Sequence, residues 1–236
     1  MKLLILAGGY GTRISEETDS KPKPMVLLDD KPIIWHLMNS FANQGFNKFV
    51  IATGYLGNVI HEWVANDLKE DWEVVPVDTG LDTQTAARIA ACQTAIGNER
   101  FFATYGDGLG NVKLNNLIEF HEHHKVLATV TAVRPPARFG VIQSLNGRVT
   151  HFGEKNQADA GWINGGYFVL EPEVFHYLKN ENRPFEQSTM QKLVLDQQLA
   201  AFHHHGFWQP MDTLREKNEL SALAKLENPP WLNLES

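Results

Sequence analysis

Cysteine is nearly absent. Cys92 is the single one in 236 residues, so an internal disulfide is impossible. That scarcity fits a reducing compartment and predicts a cytoplasmic protein. A basic excess is absent too: Lys and Arg number 21 against 28 Asp and Glu, a formal net charge of -7. Proteins that track nucleic acid along its phosphates carry surplus cations, so nucleic acid is set aside as a partner. Long apolar runs are missing as well. The opening MKLLILAGG holds only Leu3 to Ala7 before glycines intervene, too short for the apolar stretch of a secretory leader. No segment approaches the roughly 20 apolar residues of a membrane span, so no membrane partner is expected. Linkers, low-complexity tracts and internal repeats are lacking. The chain therefore reads as one domain over 1–236.

What is present is an alternation. Leu3 to Ala7 is a continuous apolar run, as in a strand buried on both faces. Pro32 stands as a first-turn proline ahead of Ile33, Ile34, Leu37, Met38 and Phe41, an amphipathic helical spacing. Strands then read at Lys48–Thr53, Glu73–Val77, Arg100–Thr104 and Leu127–Val133, with helices at Gly57–Ala65, Thr83–Ile96 and Leu114–His124 between them. Alternating strands and helices predict βαβ units and an α/β fold with a mostly parallel sheet flanked by helices. After about residue 134 the pattern changes. Phe139–Ser144, Arg148–Phe152 and Trp162–Leu170 read as short strands near Gly and Asn turns, a small antiparallel extension in the C-terminal half. Helices are expected at Phe185–Asp196 and Leu214–Leu226.

The first strand runs into LAGGYGTR, Leu6 to Arg13, and then KPKPM, Lys21 to Met25. In an open α/β sheet, ligands bind beyond the carboxyl ends of the strands. Glycines let backbone N–H groups approach an anion, and Arg13 offers a planar donor fork. Lys21 and Lys23 add charge, and Pro22 and Pro24 stiffen their segment. The dinucleotide fingerprint G-x-G-x-x-G fails, because Ile14 stands at its last position. The Walker A pattern fails because no lysine follows Gly11. A glycine-rich turn with a surface arginine is the plain alternative.

Acidic candidates complement these cations. YGDG, Tyr105 to Gly108, places Asp107 at a strand's carboxyl end, where it could hold Mg²⁺ or serve as turn chemistry. Asp212, in FWQPMDTLRE, is either a second metal carboxylate or a helix N-cap. Glu154, Lys155, Asn164 and Gly165 offer a carboxylate, a cation and an amide suited to a phosphorylated polyol. His121, Glu122, His123 and His124 nearly spell a zinc helix, but H-E-x-x-H needs His where Lys125 stands.

LAGGYGTR, KPKPM, YGDG, FGEK and NGGYF, in that order, resemble the sugar-1-phosphate nucleotidylyltransferases. GFWQPMDT is similar to their branch acting with CTP on glucose 1-phosphate. The likeness runs from Met1 to about Trp231 and implies a Rossmann-like sheet, with the nucleotide part at about 1–133 and the sugar-phosphate and C-terminal part at about 134–236. It implies cytidylyl transfer from CTP to α-D-glucose 1-phosphate, giving CDP-glucose and pyrophosphate. Another nucleoside triphosphate, another phosphorylated sugar or polyol, or a non-catalytic sensor of such ligands stays open. By resemblance, Leu6, Ala7, Gly8, Gly9, Gly11, Thr12 and Arg13 hold the triphosphate, and Thr83, Arg88 and Gly106 lie near the nucleotide. Arg13, Lys23 and Asp107 act at the reacting centre. Asp107 and Asp212 hold Mg²⁺, while Glu154, Lys155, Asn164 and Gly165 meet the sugar phosphate. Small-molecule substrates and a homo-oligomer are the implied partners.

Overall fold

A computed structural model of the chain describes residues 1–135, 140–145, 148–154 and 161–234; for residues 13, 15, 16, 140–145 and 151–154 it describes the backbone alone. The first strand, β1 (Leu3–Ala7), is buried at all five positions, so both its faces must be covered. Two short strands, β2 (Leu27–Leu28) and β3 (Lys31–Pro32), pair with each other. The chain continues through β4 (Lys48–Thr53), β5 (Glu73–Asp78), β6 (Phe101–Tyr105), β7 (Gly108–Gly110) and β8 (Ala128–Val133). It then forms β9 (Gly140–Leu145), β10 (Arg148–Glu154), β11 (Ile163–Leu170), β12 (Leu199–His203) and β13 (Trp208–Pro210).

Seven strands form one sheet in the order β12-β8-β11-β6-β1-β4-β5. Its ladders are parallel except those of β11, which runs antiparallel to both β6 and β8. Alternate residues of β1 serve opposite faces, as the period of a strand requires. Leu3, Ile5 and Ala7 pack with Ile33, Leu37 and Phe41 of the helix Ile33–Ala42. Leu4 and Leu6 pack with Ala86, Ile89 and Cys92 on the other face. Burial pushes the Cys92 thiol up to about 12, so it stays protonated and acts as core. The result is the mostly parallel, helix-flanked α/β sheet that the alternation predicts.

Four details differ from the sequence reading. Pro32 lies one residue outside its helix, pairing with Leu27 and capping rather than opening it. The helix read over Thr83–Ile96 breaks at Cys92, whose N–H donates to the Ile89 carbonyl in a tightened turn. Its buried stripe of Ile89, Cys92 and Ile96 survives the break. The helix read from Phe185 starts only at Thr189. Phe185 instead plugs the core, and its N–H donates to Thr85 Oγ1 at 2.7 Å. The strand read at Trp162–Leu170 is not part of the extension: as β11 it lies inside the main sheet, while β9 and β10 form a separate antiparallel ribbon.

The connection order positions a cleft. From β1 the chain steps outward through β4 to β5, then crosses back to place β6 on the other side of β1. The carboxyl ends of β1 and β6 therefore feed loops in opposite directions, and such a switch point opens a crevice.

Candidate active site

A cleft of about 940 Å³ opens at that switch point, bordered by Gly8 to Thr12 after β1 and by Gly106 to Gly108 after β6. The three glycines of LAGGYG do three different jobs. A Cβ on Gly8 would stand 2.3 Å from Arg88 Nη1, so glycine here makes room for a buried guanidinium. A Cβ on Gly9 would meet nothing, which leaves its backbone open to the cleft. Gly11 has φ +67, a left-handed turn that favours glycine. Gly106 is needed for another reason: Pro24 Cγ would lie 3.0 Å from its Cβ, so KPKPM packs directly on the YGDG turn.

That packing aims Lys23. It sits in a single tight turn, Lys23–Met25, entered from Pro22 in extended conformation. Its ammonium donates to Asp107 Oδ2 at 2.6 Å and to Asp212 Oδ1 at 2.9 Å. Burial pulls the Lys23 pKa down, but the two carboxylates outweigh it and the net shift is upward, so the ammonium stays charged. The carboxylates come together through a ribbon that the sequence reading did not find. β7 and β13 are antiparallel, with Gly108 opposite Pro210, and the Met211 N–H donates to the Asp107 carbonyl at 2.8 Å. Two strands of three residues show no periodicity to read. Asp212 is not the N-cap: Thr213 caps the helix Leu214–Ala224 in a capping box with Glu216. Asp212 is thereby left to face Lys23.

Arg88 is 4% exposed and spends its guanidinium on four backbone carbonyls and the Thr79 hydroxyl. Burial lowers its pKa, with Asp78 pulling the other way, and an arginine remains charged throughout. Thr83 likewise turns inward, donating to the Thr79 carbonyl at 2.5 Å. At the mouth, Tyr10 Oη donates to Asp82 Oδ1 at 2.8 Å, joining the glycine loop to the turn after β5.

The far end of the cleft is built by β11. Its register shifts between Asn164 and Phe168, a bulge at Gly165–Gly166 in which Gly166 has φ +79. The bulge presents Asn164, whose Oδ1 accepts from the Gly166 N–H at 2.8 Å and whose Nδ2 donates to Tyr105 Oη at 3.3 Å. A Cβ on Gly165 would meet Val133 Cγ1 at 2.6 Å, so that glycine lets two backbones close. Tyr105 Oη also donates to Glu186, a cleft residue with no sequence signal of its own.

Thus the cleft gathers Leu6, Ala7, Gly8, Gly9, Gly11, Thr12, Lys23, Thr83, Arg88, Gly106, Asp107, Asn164, Gly165 and Asp212, each singled out in the sequence. Lys21 is not among its lining residues. The Arg13 and Glu154 side chains and all of Lys155 lie outside the described residues. Sequence reasoning missed Tyr10, Asp82, Tyr105 and Glu186. Among the described residues no trio of His, Cys, Asp or Glu is placed to hold a metal. The pair Asp107 and Asp212 already clasps a cation, the Lys23 ammonium, which is the donor set a metal shared with phosphates asks for.

A switch-point cleft walled by glycine backbone, with a lysine between two carboxylates, defines a class: enzymes that bind a phosphorylated nucleotide and transfer part of it. Residues 2–216 match the nucleotidyl transferase family, and the chain belongs to it. It is 42% identical, over 98% of both chains, to a glucose-1-phosphate cytidylyltransferase of Salmonella typhimurium. It is 32% identical to a mannose-1-phosphate guanyltransferase of Saccharomyces cerevisiae, over 94% of this chain and 63% of that one. The fold is shared with HddC from Yersinia pseudotuberculosis complexed with GMP-PN, at a TM-score of 0.75, 21% identity, and coverage of 95% of this chain and 99% of that one. The sheet and cleft are therefore those of a nucleotidyltransferase. Among the described residues, no helix is long and apolar enough to cross a membrane.

Proposed function

We propose that the protein transfers a cytidylyl group from CTP to α-D-glucose 1-phosphate, giving CDP-glucose and pyrophosphate. The observation that carries this reading is Lys23, held between Asp107 and Asp212 beside the open backbone of Gly9, in a chain 42% identical to a glucose-1-phosphate cytidylyltransferase throughout its length. An oxygen of the sugar phosphate attacks the α-phosphorus in line. A new P–O bond forms there, the bond to the β-phosphate bridge breaks, and its electron pair leaves with pyrophosphate. A sugar phosphate is already ionised at neutral pH, since its second pKa lies at about 6, so no general base is required. The two anions repel as they approach, and charge builds on the departing oxygens. Catalysis is then positioning and electrostatic stabilisation. The Lys23 ammonium supplies a fixed cation at the centre of the cleft. Leu6, Ala7, Gly8, Gly9, Gly11 and Thr12 border the triphosphate, Arg13 is assigned to its phosphates by the family resemblance, and Gly106 and Thr83 border the nucleoside. Asn164 and Gly165 meet the sugar, with Glu154 and Lys155 joining them.

Enzymes of this family generally use a divalent metal. Mg²⁺ is the metal inferred here, held by Asp107 and Asp212. When bound, it neutralises charge on the phosphates. A cytoplasmic enzyme working as a homo-oligomer completes the reading, and light scattering of the purified protein tests the assembly. The direct test is product identification. Incubation with CTP, glucose 1-phosphate and Mg²⁺ should give CDP-glucose by mass spectrometry, with one pyrophosphate per product. Recovery of both substrates unchanged would contradict it.

A further inference from the structure

Arg88 has no carboxylate against it among the contacts of its two terminal nitrogens. Nη1 donates to the Thr53 carbonyl at 3.1 Å, Thr79 Oγ1 at 2.6 Å and the Gly80 carbonyl at 2.8 Å. Nη2 donates to the Gly8 carbonyl at 2.9 Å and the Leu81 carbonyl at 3.1 Å. Four N–H bonds are shared among five acceptors drawn from the end of β4 and from the loops following β1 and β5. Two glycines exist to admit this fork. A Cβ on Gly8 would reach Nη1 at 2.3 Å, and one on Gly54 would reach it at 2.4 Å. The Tyr55 N–H adds a second donor to the Gly8 carbonyl at 3.3 Å.

Peptide planarity turns this into a statement about the cleft. In a trans peptide the C=O of one residue and the N–H of the next point in opposite directions. There are no cis peptide bonds among the described residues. Pulling the carbonyls of Gly8, Gly80 and Leu81 onto the guanidinium therefore turns the N–H groups of Gly9, Leu81 and Asp82 away from it. Gly9, Leu81 and Asp82 all border the cleft. A planar fork can do this for several carbonyls at once, whereas an ammonium cannot reproduce its spread.

We propose that Arg88 is a positioning residue for nucleotide binding: it aims the backbone amides of Gly9, Leu81 and Asp82 into the cleft, and its own nitrogens stay on the protein. This rests on the nucleotidyl-transfer reading above. It revises the role expected for Arg88 from the sequence, since both terminal nitrogens of the side chain that borders the nucleotide end are already engaged by the protein. Its charge, fixed behind the glycine loop, adds a favourable field for the triphosphate without a direct contact.

The test compares Arg88→Lys and Arg88→Met with the parent protein, in two readouts. The first is backbone hydrogen exchange without any ligand. Segments 8–13 and 79–83 should exchange about 10-fold faster or more in Arg88→Lys, because the loops open locally once the fork is lost. The second is steady-state kinetics with Mg²⁺. The KM for CTP should rise about 10-fold or more, that for glucose 1-phosphate should hold, and Arg88→Lys should retain more activity than Arg88→Met. If Arg88→Met does not fold, Arg88→Lys decides the matter. Unchanged exchange and unchanged KM for CTP in folded Arg88→Lys overturn the proposal. Equal losses toward both substrates also overturn it, since they mark a general loss of structure. Faster exchange in the variant, beside a parent protein that binds none of CTP, UTP, dTTP, ATP and GTP, overturns the nucleotide reading of the cleft and leaves the loop anchoring standing.

Discussion

The two ends of the cleft are made of different material. The end assigned to the nucleotide in the proposed reading is backbone: Gly8, Gly9 and Gly11 in one short loop, tied by Arg88 to the end of β4 at Thr53 and the turn at Gly80. The end assigned to the acceptor is side chains: Asn164 on the β11 bulge, Tyr105 at the end of β6, and Glu186 from the segment before the helix Thr189–Leu195. Between them stands Lys23 with its two carboxylates. Backbone amides suit a ligand part that every nucleoside triphosphate shares. Side chains suit a part that differs from one sugar phosphate to the next. The difference teaches where each kind of substitution should act, and the two ends should respond separately.

The centre should give the largest effect. Lys23→Ala removes the buried cation and leaves Asp107 and Asp212 facing each other. Turnover should fall by about 10²-fold or more, and Asp107→Asn should match it. Near-normal turnover in either folded variant would remove that residue from the reacting centre.

Gly8→Ala tests the nucleotide end. Its Cβ would be driven into Arg88 at 2.3 Å. Overpacking of this kind costs about 1–3 kcal/mol, and the KM for CTP should rise with it while that for the sugar phosphate holds. Gly9→Ala is the contrast, because a Cβ there meets no protein atom. Its thermal stability should stay at the parent value. A Gly8→Ala protein as stable as Gly9→Ala would break the comparison.

Glu186→Gln tests the other end. Glutamine can still accept from Tyr105, so the fold should persist. Losing a charged acceptor for sugar hydroxyls should raise the KM for the acceptor about 10-fold and leave that for CTP alone. A shift in the CTP value instead would place Glu186 with the nucleotide.

The smallest effect is on stability against pH. Burial holds His36, His121 and His204 below the ordinary histidine pKa of 6.5, with a Leu28 carbonyl, Glu171 and a Phe207 carbonyl opposing it in turn. The folded state keeps them neutral, and the unfolded chain binds their protons first. Stability contributed this way is present above pH 6.5 and falls as pH drops below it. Thermal melts at pH 7.5 and pH 5 should differ by about 3–6 °C, the acid one lower. A flat profile would contradict the shifts.

The same contrast explains what could be read without coordinates. The nucleotide end is local in sequence. LAGGYGTR begins inside a five-residue apolar strand and its glycines follow at once, so strand, loop and anion chemistry appear within a dozen positions. The other end is assembled from three distant segments, and of the side chains Asn164, Tyr105 and Glu186 only Asn164 was assigned to the sugar phosphate, in NGGYF beside Gly165. Glu186 lies in RPFEQST, where Phe185 reads as the start of a helix but serves the core. Arg88 was singled out, yet four of its five partners are carbonyls, which every residue has, so its contacts were not legible. The sheet order was only partly legible. Parallel pairing follows from alternation, but the insertion of β11 between β6 and β8 depends on contacts across the whole chain. Asp107 and Asp212 were each ambiguous alone. The ribbon of β7 and β13 that joins them is too short to announce itself.

The most direct measurement is pyrophosphate release with Mg²⁺ and glucose 1-phosphate, comparing CTP, UTP, dTTP, ATP and GTP at equal concentration. The account predicts rapid release with CTP and little with the other four. Release with a different nucleotide, or with none, would contradict it.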